Sequence, residues 1–256
     1  MSQEQAQLDR IRVVLVQPSH PGNVGAAARA MKTMGLSHLV LVAPEGAPHR
    51  APEAVARASG AGDVLAAARV TATLEEALAG VSLAAGASAR RRTIPWPTLT
   101  AREAGPRLAA HAAGGGEAAV VFGRETSGLT NAELERCHLL LAIPANPEYS
   151  SLNLAAAVQV VAYELRLAVL AGAGDLPPAE AMDQPPATAE ELEGLYAHLE
   201  RALVALDFLD PDNPRQLMRR LRRLFNRAHP DRMEVNILRG ILSAAEAAAR
   251  RGRGNS

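Results

Sequence analysis

The chain has 256 residues, of which 48% are hydrophobic, and its formal net charge at pH 7 is zero, so it can form one large domain or a domain with an extension. The single cysteine, Cys137, excludes an internal disulfide and favours an intracellular protein. No apolar run approaches the roughly 18 residues of a membrane span and the N-terminus is no signal peptide, so we expect a cytoplasmic protein with no membrane contact.

Strand-like and helix-like segments alternate along the first 170 residues. Residues 11–17 predict a buried strand, residues 21–35 a helix and residues 38–44 a second strand, which together indicate a parallel pair with a crossover helix. Further on, residues 74–80 have a helical pattern. Strands are predicted at residues 81–88, 117–123 and 138–144, and a long apolar helix lies within 149–166. The alternation predicts an α/β domain with a parallel sheet.

The composition changes after residue 170. Residues 171–187 are rich in proline and predict a linker between a first domain at 1–170 and a helical extension at 188–256. Three helices are expected there, at about 188–206, 214–228 and 233–250. Asn213 and Pro214 could cap and begin the second of them. Residues 211–256 contain eleven arginines and four acidic residues, which suggests an anionic partner for this end.

A glycine-containing turn follows the first strand, in "PSHPGNVGAAAR". Gly22 and Gly25 could bring backbone amides close to an anion, and Glu45 could serve a dinucleotide ribose, although the third glycine of that fingerprint is missing. A tight strand-to-helix turn would explain the same residues. Arg29, one helical turn further on, is either a surface charge or a phosphate clamp.

Three later segments also carry polar side chains beside predicted strand ends. Arg90, Arg91 and Arg92 are either a solvated charge run or a contact for RNA phosphates. The loop in residues 121–130 could hold a polar ligand or be an ordinary turn. In "YSSLNLA", Ser150 or Ser151 could cap the long helix, which would leave the other serine and Asn153 for a ligand. The scattered histidines and the single cysteine favour no metal site, and Cys137 is better explained as a small buried side chain than as a reactive thiol.

Four of these segments, taken together, resemble the SPOUT class of S-adenosylmethionine-dependent RNA methyltransferases, and most closely the TrmJ-type tRNA ribose 2′-O-methyltransferases. The resemblance lies in "HPGNVGAAARAMKTMGL", "ASARRRTIPWP", "VFGRETSGLTNAELERCH" and "IPANPEYSSLNLAAAVQV", in the order and at spacings similar to the family's. It covers about residues 11–170 and continues more weakly through 208–228. It implies a parallel α/β sheet with a C-terminal trefoil knot, and a homodimer whose active sites are shared between subunits.

The resemblance also implies roles for individual residues. The cofactor S-adenosyl-L-methionine would contact Ala87, Ser88, Ala89, Gly123, Ile143, Ser150, Ser151 and Leu152. Ala87 departs from the threonine that is frequent in the family, which removes one hydroxyl. The catalytic positions would be Arg29, Asn23, Glu125 and Ser151.

The predicted helix at 214–228 is amphipathic. Its apolar face would contain Leu217, Met218, Leu221, Leu224 and Phe225. Its arginines are Arg215, Arg219, Arg220, Arg222, Arg223 and Arg227. These are either a solvated face or, as we expect, a surface that binds tRNA, with Arg90, Arg91 and Arg92 as further RNA contacts.

The family reaction would be methylation of a ribose 2′-oxygen in tRNA, at the pyrimidine numbered 32 in the anticodon loop. Another tRNA site or an rRNA site is the alternative target. A nicotinamide-linked oxidoreductase and an RNA-binding protein without turnover are the competing functions.

Overall fold

The structure is a computed structural model that describes residues 2–89, 98–172 and 184–253. It divides into two compact units, residues 1–180 and 181–256. Most of the predicted linker, residues 173–183, lies outside the described part of the chain. The domain boundaries predicted at residues 170 and 188 stay a prediction.

The first unit is built on a seven-stranded parallel sheet with the order β3-β2-β1-β6-β4-β7-β5. The strands are β1 (Ile11–Val16), β2 (His38–Val42), β3 (Arg69–Thr71), β4 (Leu83–Ala87), β5 (Thr98–Thr100), β6 (Ala118–Phe122) and β7 (Leu139–Ala142). The predicted parallel α/β architecture is therefore confirmed, and the five predicted strands are all present. Part of the connection between β4 and β5, residues 90–97, lies outside the described residues, and the path of a trefoil knot stays a prediction.

Helices surround this sheet and make up the second unit. They are α1 (Gln3–Leu8), α2 (Pro21–Thr33), α3 (Pro52–Ala58), α4 (Gly62–Ala66), α5 (Leu74–Ala77), α6 (Ala101–Ala113), α7 (Asn131–Leu134), α8 (Leu154–Ala171), α9 (Ala189–Ala205), α10 (Leu217–Ala228) and α11 (Arg232–Arg253). A short 3₁₀ turn covers Pro48–Arg50.

Strand β1 is buried on both faces, as expected for the middle of a parallel sheet. Val13 and Leu15 belong to the core shared with α2, α6 and α8. Val14 and Val16, which alternate with them, are also buried. Cys137, just before β7, is fully buried, and this burial raises the pKa of its thiol to about 12. The prediction that Cys137 is a small core residue is confirmed.

The two glycines of the first turn lie inside α2 and not in an anion-binding loop. A Cβ on Gly25 would lie 2.1 Å from the carbonyl oxygen of Ala54 in α3, and one on Gly22 would lie 2.6 Å from a carboxylate oxygen of Glu53. Gly25 therefore lets the backbones of α2 and α3 approach closely, whereas Gly22 lies against the end of a side chain. The interpretation of Gly22 and Gly25 as dinucleotide-binding glycines is wrong because these two positions face protein and not a ligand, and the role suggested for Glu45 loses its support with them.

Asn153 is the N-cap of helix α8, and neither of the two serines caps this helix. The Asn153 Oδ1 accepts hydrogen bonds from the backbone N–H of Ala155 at 2.9 Å and of Ala156 at 3.4 Å. The prediction that Ser150 or Ser151 caps this helix is wrong, and the helix starts later than the apolar pattern suggested. Serine and asparagine are about equally good caps, so their order in the chain could not decide between them.

The prediction that no apolar run approaches the length of a membrane span is wrong by length and composition, because α8 has 18 residues and a mean hydropathy of 1.7 over them. Its inner face, which includes Val158, Val161 and Leu165, is instead buried in the core of the first unit against α2 and α6. A long apolar helix of this kind is typical of the centre of an α/β domain.

The assignment of the cap to Asn153 predicts different effects for neighbouring substitutions. Asn153→Ala is expected to lower the free energy of unfolding by about 1 kcal/mol, measured by urea denaturation. Ser150→Ala and Ser151→Ala are the matched controls and are expected to change it by less than about 0.5 kcal/mol. An equal loss in either serine variant would contradict the assignment.

The second unit has its own small core. Leu192, Leu195 and Tyr196 of α9 pack with Val235 of α11, and Ala187 joins them. Thr188 and Glu191 form a capping box at the start of α9.

The start of α10 differs from the prediction. Asn213 and Pro214 precede the helix, Arg215 has a positive φ of 50°, and α10 begins at Leu217 after Gln216. The predicted cap at Asn213 is therefore wrong. The left-handed backbone at Arg215 interrupts the helical path that Pro214 would have begun.

Candidate active site

An open pocket lies where the chain leaves the carboxyl ends of β4, β6 and β7. These three strands, together with β1, are consecutive neighbours in the sheet, so the loops that follow them meet at one edge. The lining residues are Ala87–Ala89, Phe122–Leu129, Leu141, Ile143, Ser150–Leu152, Leu154 and Ala157. The pocket thus joins loops that are up to about 70 residues apart in the sequence.

All eight residues that the resemblance assigns to the cofactor line this pocket. They are Ala87, Ser88, Ala89, Gly123, Ile143, Ser150, Ser151 and Leu152. Ser88 continues the edge of β4, since its N–H donates to the carbonyl of Leu141 at 2.9 Å. Ala87 and Ala89 add little side-chain volume to the pocket wall. Such a wall suits a ligand with several hydrogen-bonding edges.

Glu125 lines the same pocket and accepts hydrogen bonds from the turn before α2 and from the first turn of that helix. Its carboxylate accepts from the backbone N–H of His20 at 3.3 Å, from the side-chain amide of Asn23 at 3.4 Å and from the hydroxyl of Ser19 at 3.4 Å. Partial burial opposes ionisation of Glu125, but the hydrogen bonds from backbone amides and from Asn23 outweigh it and lower the pKa of the carboxyl. Glu125 is therefore an ionised acceptor at neutral pH and a weak base.

Asn23 connects Glu125 with the start of α8. Its side-chain Oδ1 accepts a hydrogen bond of 2.9 Å from the Nδ2 of Asn153. Asn153 therefore does two things at once, because its Oδ1 caps α8 while its amide group holds Asn23. The predicted positions Asn23 and Glu125 are thus brought together with the segment that carries Ser151.

Arg29 is a predicted catalytic position outside the bonded group of Glu125, Asn23 and Asn153. It is exposed on α2, two helical turns after the start of the helix, and is not among the residues that line the pocket. The proximity of Arg29 to Ser151 stays a prediction.

Arg124 has a role that the sequence did not reveal. Its guanidinium donates to both carboxylate oxygens of Glu133 at 2.9 and 3.0 Å, and its Nε donates to the side chain of Gln17 at 2.6 Å. Burial opposes ionisation of Glu133, but the bonds from Arg124 and Thr130 outweigh it and lower the pKa of this carboxyl. The loop at residues 123–130, between β6 and α7, is called the pocket loop below. Arg124 connects this loop to the end of β1 through Gln17 and to α7 through Glu133. The spacing of Thr130 and Glu133, three residues apart, is a sequence signal for the start of α7 but not for the contact of Glu133 with Arg124.

The pocket loop also crosses itself at Gly123. A Cβ on Gly123 would lie 2.1 Å from the carbonyl carbon of Gly128 and 2.2 Å from the backbone nitrogen of Leu129. The N–H of Gly128 donates to the carbonyl of Arg124 at 2.9 Å, and Gly128 has a φ of 69°. Glycine at 123 is therefore required by the close approach of two backbone segments.

The arginines predicted to bind RNA fall into different groups. Arg90, Arg91 and Arg92 lie outside the described residues. In the second unit Arg222 is held in a double hydrogen bond to Glu193 and lies over the Tyr196 ring, with its guanidinium carbon 4.4 Å from the ring centroid. Arg219 and Arg223 are half-buried. Arg215, Arg220 and Arg227 are exposed.

The apolar face of α10 is less buried than its pattern predicts. Leu217, Met218, Leu221 and Phe225 are half-buried, and Leu224 is 45% exposed. The buried residue of this helix is Asn226, whose side chain accepts a hydrogen bond from the Tyr196 hydroxyl.

Comparison with known proteins agrees with the likeness seen in the motifs. The model of the SpoU rRNA methylase family matches residues 10–163, and the model of the C-terminal domain of the tRNA methyltransferase TrmJ matches residues 190–254. A tRNA (cytidine/uridine/adenosine-2′-O-)-methyltransferase TrmJ of Pseudomonas aeruginosa is 57% identical over 95% of this chain and 96% of its own length. The tRNA (cytidine/uridine-2′-O-)-methyltransferase TrmJ of Escherichia coli K12 is 53% identical over 93% and 96%.

A solved structure extends this likeness to the fold. The crystal structure of TrmJ from Z. mobilis ZM4 superposes with a TM-score of 0.76 at 35% identity, and the match covers 92% of this chain and 98% of that one. The chain belongs to the SpoU methylase family and, within it, to the TrmJ-type tRNA methyltransferases.

Proposed function

We propose that the protein transfers a methyl group from S-adenosyl-L-methionine to a ribose 2′-oxygen of tRNA. The observation that carries this proposal is the convergence of eight residues from three loops on one pocket, beside the bonded group of Glu125, Asn23 and Asn153. Membership of a tRNA methyltransferase group supports the reaction and the substrate. The cytoplasm is the proposed location.

The pocket suits the methyl donor in its chemistry. The small side chains of Ala87 and Ala89 leave room for a nucleoside, and the hydroxyls of Ser150 and Ser151 could add polar contacts. When bound, S-adenosyl-L-methionine supplies an electrophilic methyl group on a sulfonium. The protein's task is to hold the ribose hydroxyl in line with that methyl group, so that placement accounts for much of the rate enhancement.

The ribose hydroxyl must lose a proton as the new bond forms. Arg29 cannot accept it, because a guanidinium has no acceptor and stays charged. In the proposed mechanism Arg29 binds the phosphate next to the target ribose, and a phosphate oxygen, Ser151 or water takes the proton. Glu125, whose pKa is lowered, positions Asn23 and is not the base.

Two copies of the chain are needed in this proposal. Arg29 is exposed and outside the pocket lining of its own chain, so we infer a homodimer in which Arg29 completes the site of the second copy. A closed two-fold dimer places the same pair of residues together twice.

The proposed target is the pyrimidine at position 32 of the anticodon loop. Bases and riboses in a loop are accessible, whereas those inside an RNA duplex are not. The test is to incubate unmodified tRNA with the protein and radiolabelled donor and to map the alkali-resistant nucleotide. Label on the ribose at position 32 supports the full proposal, and label on another ribose corrects the site. Label on a base, or no label on the tRNA, would overturn it.

The exposed arginines of the second unit are expected to bind the tRNA backbone. Changing Arg215, Arg220 and Arg227 together to glutamine should weaken tRNA binding and reduce the slope of log K against log salt by roughly 2 to 3, because fewer counterions are released. Binding can be followed by fluorescence anisotropy between about 50 and 200 mM salt. Affinity for the methyl donor should not change.

The matched control neutralises three exposed arginines of the first unit, Arg57, Arg102 and Arg107. It should leave the salt slope within error of wild type. Equal slopes in wild type and in the variant changed at Arg215, Arg220 and Arg227 would reject the role of these arginines.

A further inference from the structure

Tyr149 is the most exposed large hydrophobic side chain in the described part of the chain, with 81% of its surface accessible. It lies in the loop between β7 and α8. The three residues that follow it, Ser150, Ser151 and Leu152, all line the pocket. An aromatic ring is thus presented to solvent one residue from the proposed site of methyl transfer.

The backbone that carries Tyr149 is held in a defined turn. The side chain of Asn146 accepts a hydrogen bond from the N–H of Glu148 at 3.0 Å, and the carbonyl of Asn146 accepts one from the N–H of Tyr149 at 3.0 Å. Pro144 and Pro147 further restrict the backbone. A tyrosine on such a turn loses little conformational freedom on binding, because it has only two side-chain torsions.

The charge beside the ring limits what it can bind. Glu148 is exposed next to Tyr149, and its carboxylate would repel a phosphate. A planar, uncharged partner that stacks on the ring face is not subject to this repulsion. The unpaired bases of an RNA loop are such partners, because every base has a π-face.

We propose that Tyr149 stacks on a base of the tRNA loop next to the target ribose and so positions that ribose at the pocket. This inference rests on the proposed function and adds a substrate contact to it. Tyr149 is a binding residue for RNA and does not contact the transferred methyl group. The contact is tolerant of sequence, since stacking reads no hydrogen-bonding edge.

The test uses the full-length protein and an anticodon stem-loop RNA with 2-aminopurine in the loop beside position 32. Wild type should quench the fluorescence on binding. Tyr149→Ala should abolish the quenching and raise the KM for tRNA by roughly five- to 100-fold. Tyr149→Phe should retain both, because it keeps the ring. The affinity for S-adenosyl-L-methionine, measured by calorimetry, should stay at the wild-type value in both variants.

Phe208→Ala is the matched control, since Phe208 is also highly exposed, at 69%, but lies in the second unit. It should leave quenching and KM unchanged. The inference is overturned if Tyr149→Ala keeps normal quenching and KM, if it weakens donor binding equally, or if it changes the oligomeric state in sedimentation. Quenching by wild type without methyl transfer to any RNA would instead overturn the proposed reaction and leave the stacking contact standing.

Discussion

Replacing Arg29 by alanine is expected to lower the rate of methyl transfer to tRNA by roughly 100- to 1000-fold, as measured at saturating donor. In the proposed mechanism this change removes the cation that binds the phosphate beside the target ribose, and the loss of one such electrostatic contact costs about that factor. Arg29→Lys should lose roughly tenfold or more, because an ammonium cannot make the two parallel bonds of a guanidinium. Donor affinity should not change, since Arg29 is outside the pocket lining.

Near-normal turnover of Arg29→Lys would show that bidentate positioning by Arg29 is wrong. A fall in donor affinity equal to the fall in rate would place Arg29 in the donor pocket of its own chain. Circular dichroism and thermal unfolding provide the check on folding, and little change is expected there because the side chain is exposed on α2.

Replacing Gly123 by alanine is expected to raise the dissociation constant for S-adenosyl-L-methionine by roughly tenfold to 100-fold, measured by calorimetry. The added methyl group would overlap the backbone of Gly128 and Leu129, so the pocket loop would have to move. Stability should fall by about 1–3 kcal/mol for the same reason.

Gly62→Ala is the matched control for Gly123→Ala. Gly62 is the first residue of α4, and a Cβ there would meet no other atom within 4 Å. This variant should bind the donor normally and be at least as stable as wild type. Wild-type donor affinity in Gly123→Ala would mean that the close crossing of the loop does not shape the pocket.

The same two variants test whether the active site is shared between subunits. The Arg29→Ala and Gly123→Ala proteins are mixed and allowed to exchange subunits. If each active site combines the pocket of one chain with Arg29 of the other, a mixed dimer has one site in which both the pocket and Arg29 are intact. Mixing should then restore about a quarter of wild-type activity, because half of the dimers are mixed and each has one working site. No restoration would mean that both residues act within one chain.

The elements predicted from the sequence are those with a continuous apolar pattern. Residues of β1 and β6 are buried on both faces and gave clear runs of valine and alanine. Strands β3 and β5 have three residues each and lie at the two edges of the sheet, where exposed or half-buried positions remove that pattern. The bounds of α8 were missed because several residues before it are good caps.

The candidate site was predicted through family likeness and not through spacing. Nothing local indicates that Glu125 meets Asn23, because that contact depends on β6 lying beside β1 in the sheet. Arg222 was predicted together with its exposed neighbours because the helical pattern of α10 does not show that its partner Glu193 comes from another helix. Gly22 and Gly25 were ambiguous because close approach to a ligand and to Ala54 of α3 need the same residue type.

The double use of Asn153 links the start of α8 to the proposed catalytic centre. The backbone amides of Ala155 and Ala156 are protected by the same side chain that holds Asn23. Opening of this first turn would therefore release Asn23 as well. Hydrogen–deuterium exchange at these two amides reports on how often the centre opens, at temperatures where the rest of the helix stays closed.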